Sequence, residues 1–180
     1  MIIAITGTPG TGKTSVSKIL KDKDFEVVDL NKLVVDEDFL DGFDKKRDSK
    51  IVDLEKLNNH IKTNYNDKDL VFLEGHLSHL LKNVDKIIIF RCHPVELRKR
   101  LSNKKWKKEK ISENVESEIL DIILCEANNL HPADNLFEID TTNRSIDDLT
   151  NSIIEIVENG FKPMKKYNMG KIDWSEELLK

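Results

Sequence analysis

The residues Gly7-Thr-Pro-Gly-Thr-Gly-Lys-Thr14 satisfy the pattern G-x-x-x-x-G-K-[ST]. Glycines at positions such as Gly10 and Gly12 let the backbone turn tightly, so that successive N–H groups point inward. The result is a concave anion site at the positive end of the following helix. Lys13 adds a mobile cation for the β- and γ-phosphates, the Thr14 hydroxyl is placed to ligate Mg²⁺, and Ser15 reaches the α-phosphate. This chemistry is nucleoside triphosphate binding. A glycine-rich turn that merely caps a helix is the plainer alternative. The motif needs a strand before it and a helix after it, and Met1–Thr6 and Lys13–Leu20 have those patterns.

A magnesium–phosphate site calls for a carboxylate at the end of a neighbouring strand, and Val71-Phe-Leu-Glu74 supplies one. Glu74 is expected to hold a metal-bound water; a solvent-exposed strand-terminal acid is the alternative. His76 follows two residues later and is expected to orient an attacking water or to sit behind the site. His76 and His79 alone make a weak metal pair without a third ligand. Phosphoryl transfer also gathers cations around the in-line geometry. The chain has five arginines: Arg47, Arg91, Arg98, Arg100 and Arg144. Arg91 ends a strand at the active edge and is the best candidate for catalysis. Arg98 and Arg100 fit a solvated helix face equally well, and Arg47 falls where an acceptor phosphate would lie. Lys104, Lys105, Lys107, Lys108 and Lys110 surround Trp106, and this basic run suits closure over donor phosphates, a solvated face or contact with RNA.

Five apolar runs position these groups: Met1–Thr6, Glu26–Leu30, Leu70–Leu73, Lys86–Arg91 and Leu136–Asp140. They alternate with helix-period segments at Lys13–Leu20, Leu54–Thr63, Val95–Ser102, Glu113–Leu130 and Ile146–Val157, with Pro94 at a good first-turn position. Short apolar strands alternating with amphipathic helices predict a three-layer α/β P-loop fold, with a five-stranded parallel sheet and helices on both faces. Ligands then bind outside the carboxyl ends of the strands. The expected core covers residues 1–29, 54–102 and 114–160. A polar insert at 30–53 and a short lid at 103–113 interrupt it, and a tail at 161–180 follows without a clear period.

The 180 residues suit one domain that buries roughly 70% of its unfolded surface. With 29 Lys+Arg against 33 Asp+Glu, the net charge of −4 argues against a bulk nucleic-acid binder. The longest apolar run is far below the ~20 residues needed to span a bilayer, and no secretory leader pattern opens the chain. Cys92 and Cys125 are too few for a disulfide scaffold and suit a reducing, cytoplasmic setting. A GTPase would need N-K-x-D, and Asn31-Lys-Leu-Val34 lacks the aspartate. Small size with two polar inserts fits a kinase of small molecules.

Taken together, Gly7–Ser15, Asp41-Gly-Phe-Asp44 with Arg47-Asp48, and Leu73-Glu-Gly-His76 are specific marks. So are Phe90-Arg-Cys-His-Pro94 leading to Leu97-Arg-Lys-Arg-Leu101, and Glu113-Asn114 with Glu116 and Glu118-Ile119. From residue 1 to about 158 the chain resembles the adenylate kinase isoenzyme 6 family, nuclear adenylate kinase-like proteins with archaeal members. The resemblance implies that Gly10, Gly12, Lys13, Thr14 and Ser15 bind ATP with Mg²⁺. It places a monophosphate site in the 30–53 insert, including Asp41, Gly42 and Arg47, and a lid carrying Lys104. Lys104-Lys105-Trp106 stands where the family often has Arg-Gly-aromatic. Phosphate transfer from ATP to AMP or another monophosphate is implied, together with ATP hydrolysis in late small-subunit ribosomal RNA maturation. The implied partner is a ribosomal protein of the small-subunit platform, bound transiently. An assembly ATPase with incidental kinase activity, and a P-loop kinase acting on another acceptor, remain open alternatives.

Overall fold

The computed structural model describes residues 1–44, 49–104 and 106–179. Its sheet has five parallel strands: β1 (Ile2–Gly7), β2 (Val27–Asp29), β5 (Val71–Glu74), β6 (Lys86–Arg91) and β7 (Leu136–Asp140). Their spatial order is β2-β5-β1-β6-β7, with β1 in the middle. β1 is buried along its whole length because helices cover both faces, so it reads as an unbroken apolar run and not as an alternating one. The carboxyl ends gather Gly7, Asp29, Glu74, Arg91 and Asp140 along one edge. Ile5 lies opposite Glu74, so the end of β5 stands beside the loop that follows β1.

One face carries α1 (Lys13–Asp22) and α7 (Ile146–Glu158), which pack with Ile3, Ile5, Phe72, Ile88 and Phe90. The other face carries α3 (Leu54–Tyr65) and α6 (Ile122–Leu130). Asp53 caps α3 by accepting from the Lys56 amide at 3.0 Å. The residues preceding Asp53 hold more order than their weak periodicity suggests. They contain α2 (Leu30–Asp36), capped by Asp29, and an antiparallel pair of β3 (Leu40–Asp44) and β4 (Ser49–Val52).

Glu113–Leu130 is not one helix, as its apolar spacing predicts. It divides into α5 (Lys108–Ile119) and α6 at Asp121, whose φ of 53° is left-handed. A non-glycine residue there is strained, and the Arg91 guanidinium holds its carboxylate. The break sends α5 onto α4 (Pro94–Ser102) through Leu97, Leu101, Ile111 and Val115, while α6 packs on Ala4, Ile87 and Ile89. Because α5 starts at Lys108, half of the expected lid is helical.

The tail docks on the core. Phe161 and Tyr167 are buried, Phe137 and Asn168 form an antiparallel bridge, and Trp174 meets His93 edge-on at 4.9 Å. Among the described residues, no helix is long and apolar enough to cross a membrane.

Candidate nucleotide site

The loop from β1 to α1 has the shape its glycines allow. Gly7, Gly10 and Gly12 all have positive φ, and a Cβ on Gly7 would lie 2.3 Å from the Phe90 carbonyl oxygen. Gly12 is the N-cap of α1 and makes no side-chain cap, so the helix presents its first N–H groups to the loop. Lys13 is buried, and its Nζ donates to the carbonyls of Gly7 at 2.6 Å and Thr8 at 3.1 Å. An ammonium has three donors, which leaves one for a phosphate oxygen. Burial pushes the Lys13 pKa down to about 8, with Glu74 and Glu118 opposing that shift.

Thr14 Oγ1 donates to Glu74 Oε1 at 3.4 Å. Burial raises the Glu74 pKa, and Lys13 partly offsets it. A hydroxyl beside one carboxylate is a hard oxygen pair that fits Mg²⁺, which keeps several waters and takes the rest of its ligands from substrate phosphates. His76 projects into the cavity wall from the turn after β5. Its outer face meets water. Protein on the inner side, then Lys13, His79 and Lys110, push its pKa down to about 4, so the ring is neutral at pH 7.

These groups open onto a cavity of about 650 Å³. Lys13, Arg100, Lys104, Lys110 and Arg144 line it, against Glu74 as the acid. Gly10, Gly12, Thr14, Ser15 and His76 are also in its wall, so the residues read as phosphate and metal groups come together. Trp106 lies in the wall with Lys110 Nζ 5.0 Å and Lys104 Nζ 5.9 Å from its ring centroid. Pro9 of the loop, with Asn31, Ile146 and Leu149, completes the lining, and the last three were not legible as site residues. Arg144 was not singled out either, although the rule that pointed to Arg91 reaches it: both stand at or just past the carboxyl end of a strand. Its Nη2 donates to the Asp148 carbonyl at 3.0 Å and to Ser152 Oγ at 2.7 Å.

Arg91 is a correction. It is 2% exposed and does not line the cavity. Its guanidinium donates to Glu118 Oε1 at 2.8 Å, to Glu138 Oε1 at 2.6 Å and to Asp121. Three carboxylates occupy the donors that a phosphate would need, so Arg91 is structural. Asp41 and Gly42 are exposed on β3, away from the cavity lining, and Gly42 has a φ of 124° where the β3–β4 register shifts. Arg47 lies outside the described residues. His79 is buried, and among the described residues it joins no group of side chains that could hold a metal ion. Thr6 Oγ1 lies 2.9 Å from its Nδ1, and Glu126 2.9 Å from its Nε2.

The sequence matches the AAA domain family over residues 3–121. A "Putative adenylate kinase" of Methanocaldococcus jannaschii is 39% identical over 180 residues, covering 99% of this chain and 96% of that protein. One from Methanosarcina acetivorans is 35% identical over 189 residues, covering 99% and 100%. Among solved structures, shikimate kinase from Acinetobacter baumannii in complex with shikimate aligns with a TM-score of 0.62 at 16% identity, over 88% of this chain and 93% of that one. Thymidylate kinase from Candida albicans aligns with a TM-score of 0.55 at 15% identity, over 88% and 91%. At those identities the structural likeness establishes the three-layer α/β P-loop kinase fold. By sequence, the chain belongs to the family of archaeal proteins named "Putative adenylate kinase", within the AAA domain family.

Proposed function

We propose that the protein is a nucleoside monophosphate kinase of the adenylate kinase isoenzyme 6 type, moving the γ-phosphoryl group of ATP to AMP or a related monophosphate. One observation carries this reading: a single cavity joins the phosphate loop, Thr14 beside Glu74, and five cationic side chains. An acceptor phosphate oxygen attacks the γ-phosphorus in line, the bond to the β–γ bridging oxygen breaks, and two diphosphates leave. An NMP phosphate is largely ionised at neutral pH, so this step needs alignment and charge neutralisation, with no side-chain base. Lys13 neutralises the β- and γ-phosphates from below, while Lys104 and Lys110 approach from the lid side. Arg100 and Arg144, beside Ile146 and Leu149, offer flat cationic and apolar surfaces to the donor base. Thr14 and Glu74 would hold Mg²⁺, which supplies further charge neutralisation at the transferred group.

The deciding assay incubates the protein with ATP, Mg²⁺ and each of several NMPs, and compares ADP yield with and without acceptor. An NMP-dependent yield is expected. ADP formation indifferent to every NMP would leave hydrolysis as the activity.

Hydrolysis is a second reading, favoured by His76. A neutral imidazole in the cavity wall offers a polar group that can hold a water in line behind the γ-phosphate. His76→Ala is expected to lower NMP-independent ATPase more than transfer, and equal losses argue against this division. The resemblance also supports a nucleotide-controlled contact with a small-subunit platform ribosomal protein. Capture from ribosomal fractions with and without ATP tests it, and capture indifferent to ATP counts against a switch.

A further inference from the structure

We propose that Glu118 is a positioning residue that fixes the shape of the phosphate loop through Thr8. The inference rests on the nucleotide-binding reading above. Glu118 lies at the carboxyl end of α5, 3% exposed, and outside the cavity lining. Its two oxygens are divided between two parts of the molecule. Oε1 accepts from Arg91 Nε at 2.8 Å and from the Cys92 amide at 3.0 Å. Oε2 accepts from the Thr8 hydroxyl at 2.5 Å. A buried carboxylate is costly unless its lone pairs are satisfied, and a charge-assisted bond of this kind is short and directional.

Thr8 is where that constraint reaches the chemistry. Its carbonyl accepts from Lys13 Nζ at 3.1 Å and from Thr11 Oγ1 at 2.9 Å. The residue whose side chain is clamped by Glu118 therefore carries an oxygen against which the Lys13 ammonium is aimed. Gly7 and Gly10 flank it at positive φ and bring no side chains of their own to hold the loop. Without the clamp, the Thr8 backbone keeps only its local bonds to Thr11 and Lys13, and a shift of its carbonyl redirects the remaining Lys13 donor. The anchor itself does not yield. Arg91 is held on its far side by Glu138 at 2.6 Å, which in turn accepts from the Gly170 amide of the docked tail. The same helix carries Lys110 in the cavity wall eight residues earlier, about 12 Å along the axis, so loop and lid share one frame.

The test measures ATP–Mg²⁺ affinity by calorimetry, steady-state kinetics and nucleotide-free Tm for Thr8→Val, Thr8→Ser, Glu118→Gln and the Thr8→Val/Glu118→Gln double variant. Thr8→Val keeps shape and leaves the Arg91 contacts of Glu118 untouched. It is the deciding variant, since Glu118→Gln also weakens a buried ion pair and can unfold the chain. Thr8→Val is expected to weaken ATP binding about tenfold, as loss of a charged hydrogen bond does. Thr8→Ser should restore affinity to within about twofold, and the double variant should lose no more than the worse single one. A merely structural contact lowers Tm in Thr8→Val and leaves Kd within twofold of the wild type, and that result overturns the proposal. Failure of Thr8→Ser to rescue overturns it too. Wild-type protein runs in the same titration: absence of binding there defeats the nucleotide reading itself, whereas wild-type binding with an unaffected Thr8→Val defeats only this inference.

Discussion

Thr14 Oγ1 and Glu74 Oε1 stand 3.4 Å apart although sixty residues separate them in the chain. Parallel pairing of Ile2–Ile5 with Val71–Glu74 brings them together, because it sets Glu74 opposite Ile5, two residues before β1 gives way to the loop. If this pair holds Mg²⁺, Glu74→Gln removes a charge while keeping shape. Phosphotransfer should fall by roughly 10–100-fold and should require more Mg²⁺ for half-saturation. A magnesium titration of initial rates checks this. An unchanged midpoint would assign Glu74 a different role.

An aromatic ring in the cavity wall offers an optical readout. Trp106 lies between Lys104 and Lys110 at cation–π distance in the cavity wall, and ATP phosphates would compete for both ammoniums. The other tryptophan, Trp174, has a buried Nε1 with no hydrogen-bond partner among the described residues, so Trp174→Phe sacrifices no bond there. In that background, ATP–Mg²⁺ should change Trp106 emission along a saturable curve. Lys110→Ala should weaken binding roughly three- to tenfold, as expected for one exposed phosphate contact. Emission flat through saturation would place Trp106 away from the nucleotide.

His79 predicts a pH dependence of stability. Burial lowers its pKa and outweighs the Glu126 carboxylate that raises it, with His131 and Lys13 adding to the depression. The folded chain therefore keeps this ring neutral at pH values where the unfolded chain protonates it. The unfolded state binds more protons, so the stabilisation is fully present above the unfolded value near 6.5 and is lost as pH falls toward the folded value. Tm should drop as pH falls below about 6.5, and His79→Gln should flatten that part of the profile. Identical slopes in both proteins would remove His79 as the cause.

The thiols should separate cleanly. Cys125 is exposed, whereas Cys92 is buried and its pKa is pushed up to about 11, chiefly by that burial. The thiolate is the reactive species. An aromatic disulfide reagent at pH 8 should label one cysteine per chain promptly and the second only after denaturant is added. Prompt labelling of two would mean that the strand end at Cys92 opens readily.

Glycine spacing fixed the phosphate loop in advance, because only that backbone pattern turns so sharply between a strand and a helix. The five strands were legible for a related reason: burial on both faces of a parallel sheet demands unbroken apolar runs, and Lys86–Arg91 and Leu136–Asp140 have the predicted bounds. Arg91 was read wrongly because its position on the strand was clear and its partners were not. Glu118 comes from α5, Asp121 from the break after it and Glu138 from β7, and only packing brings them to one guanidinium. The break at Asp121 was hidden for the same reason, since helical periodicity continues across it while the ion network holds its backbone left-handed. Asn31, Ile146 and Leu149 share a wall through the sheet order, with no common sequence pattern. Local chemistry and periodicity are written along the chain; which charge meets which, and which of them faces the cavity, is decided where distant segments close on one another.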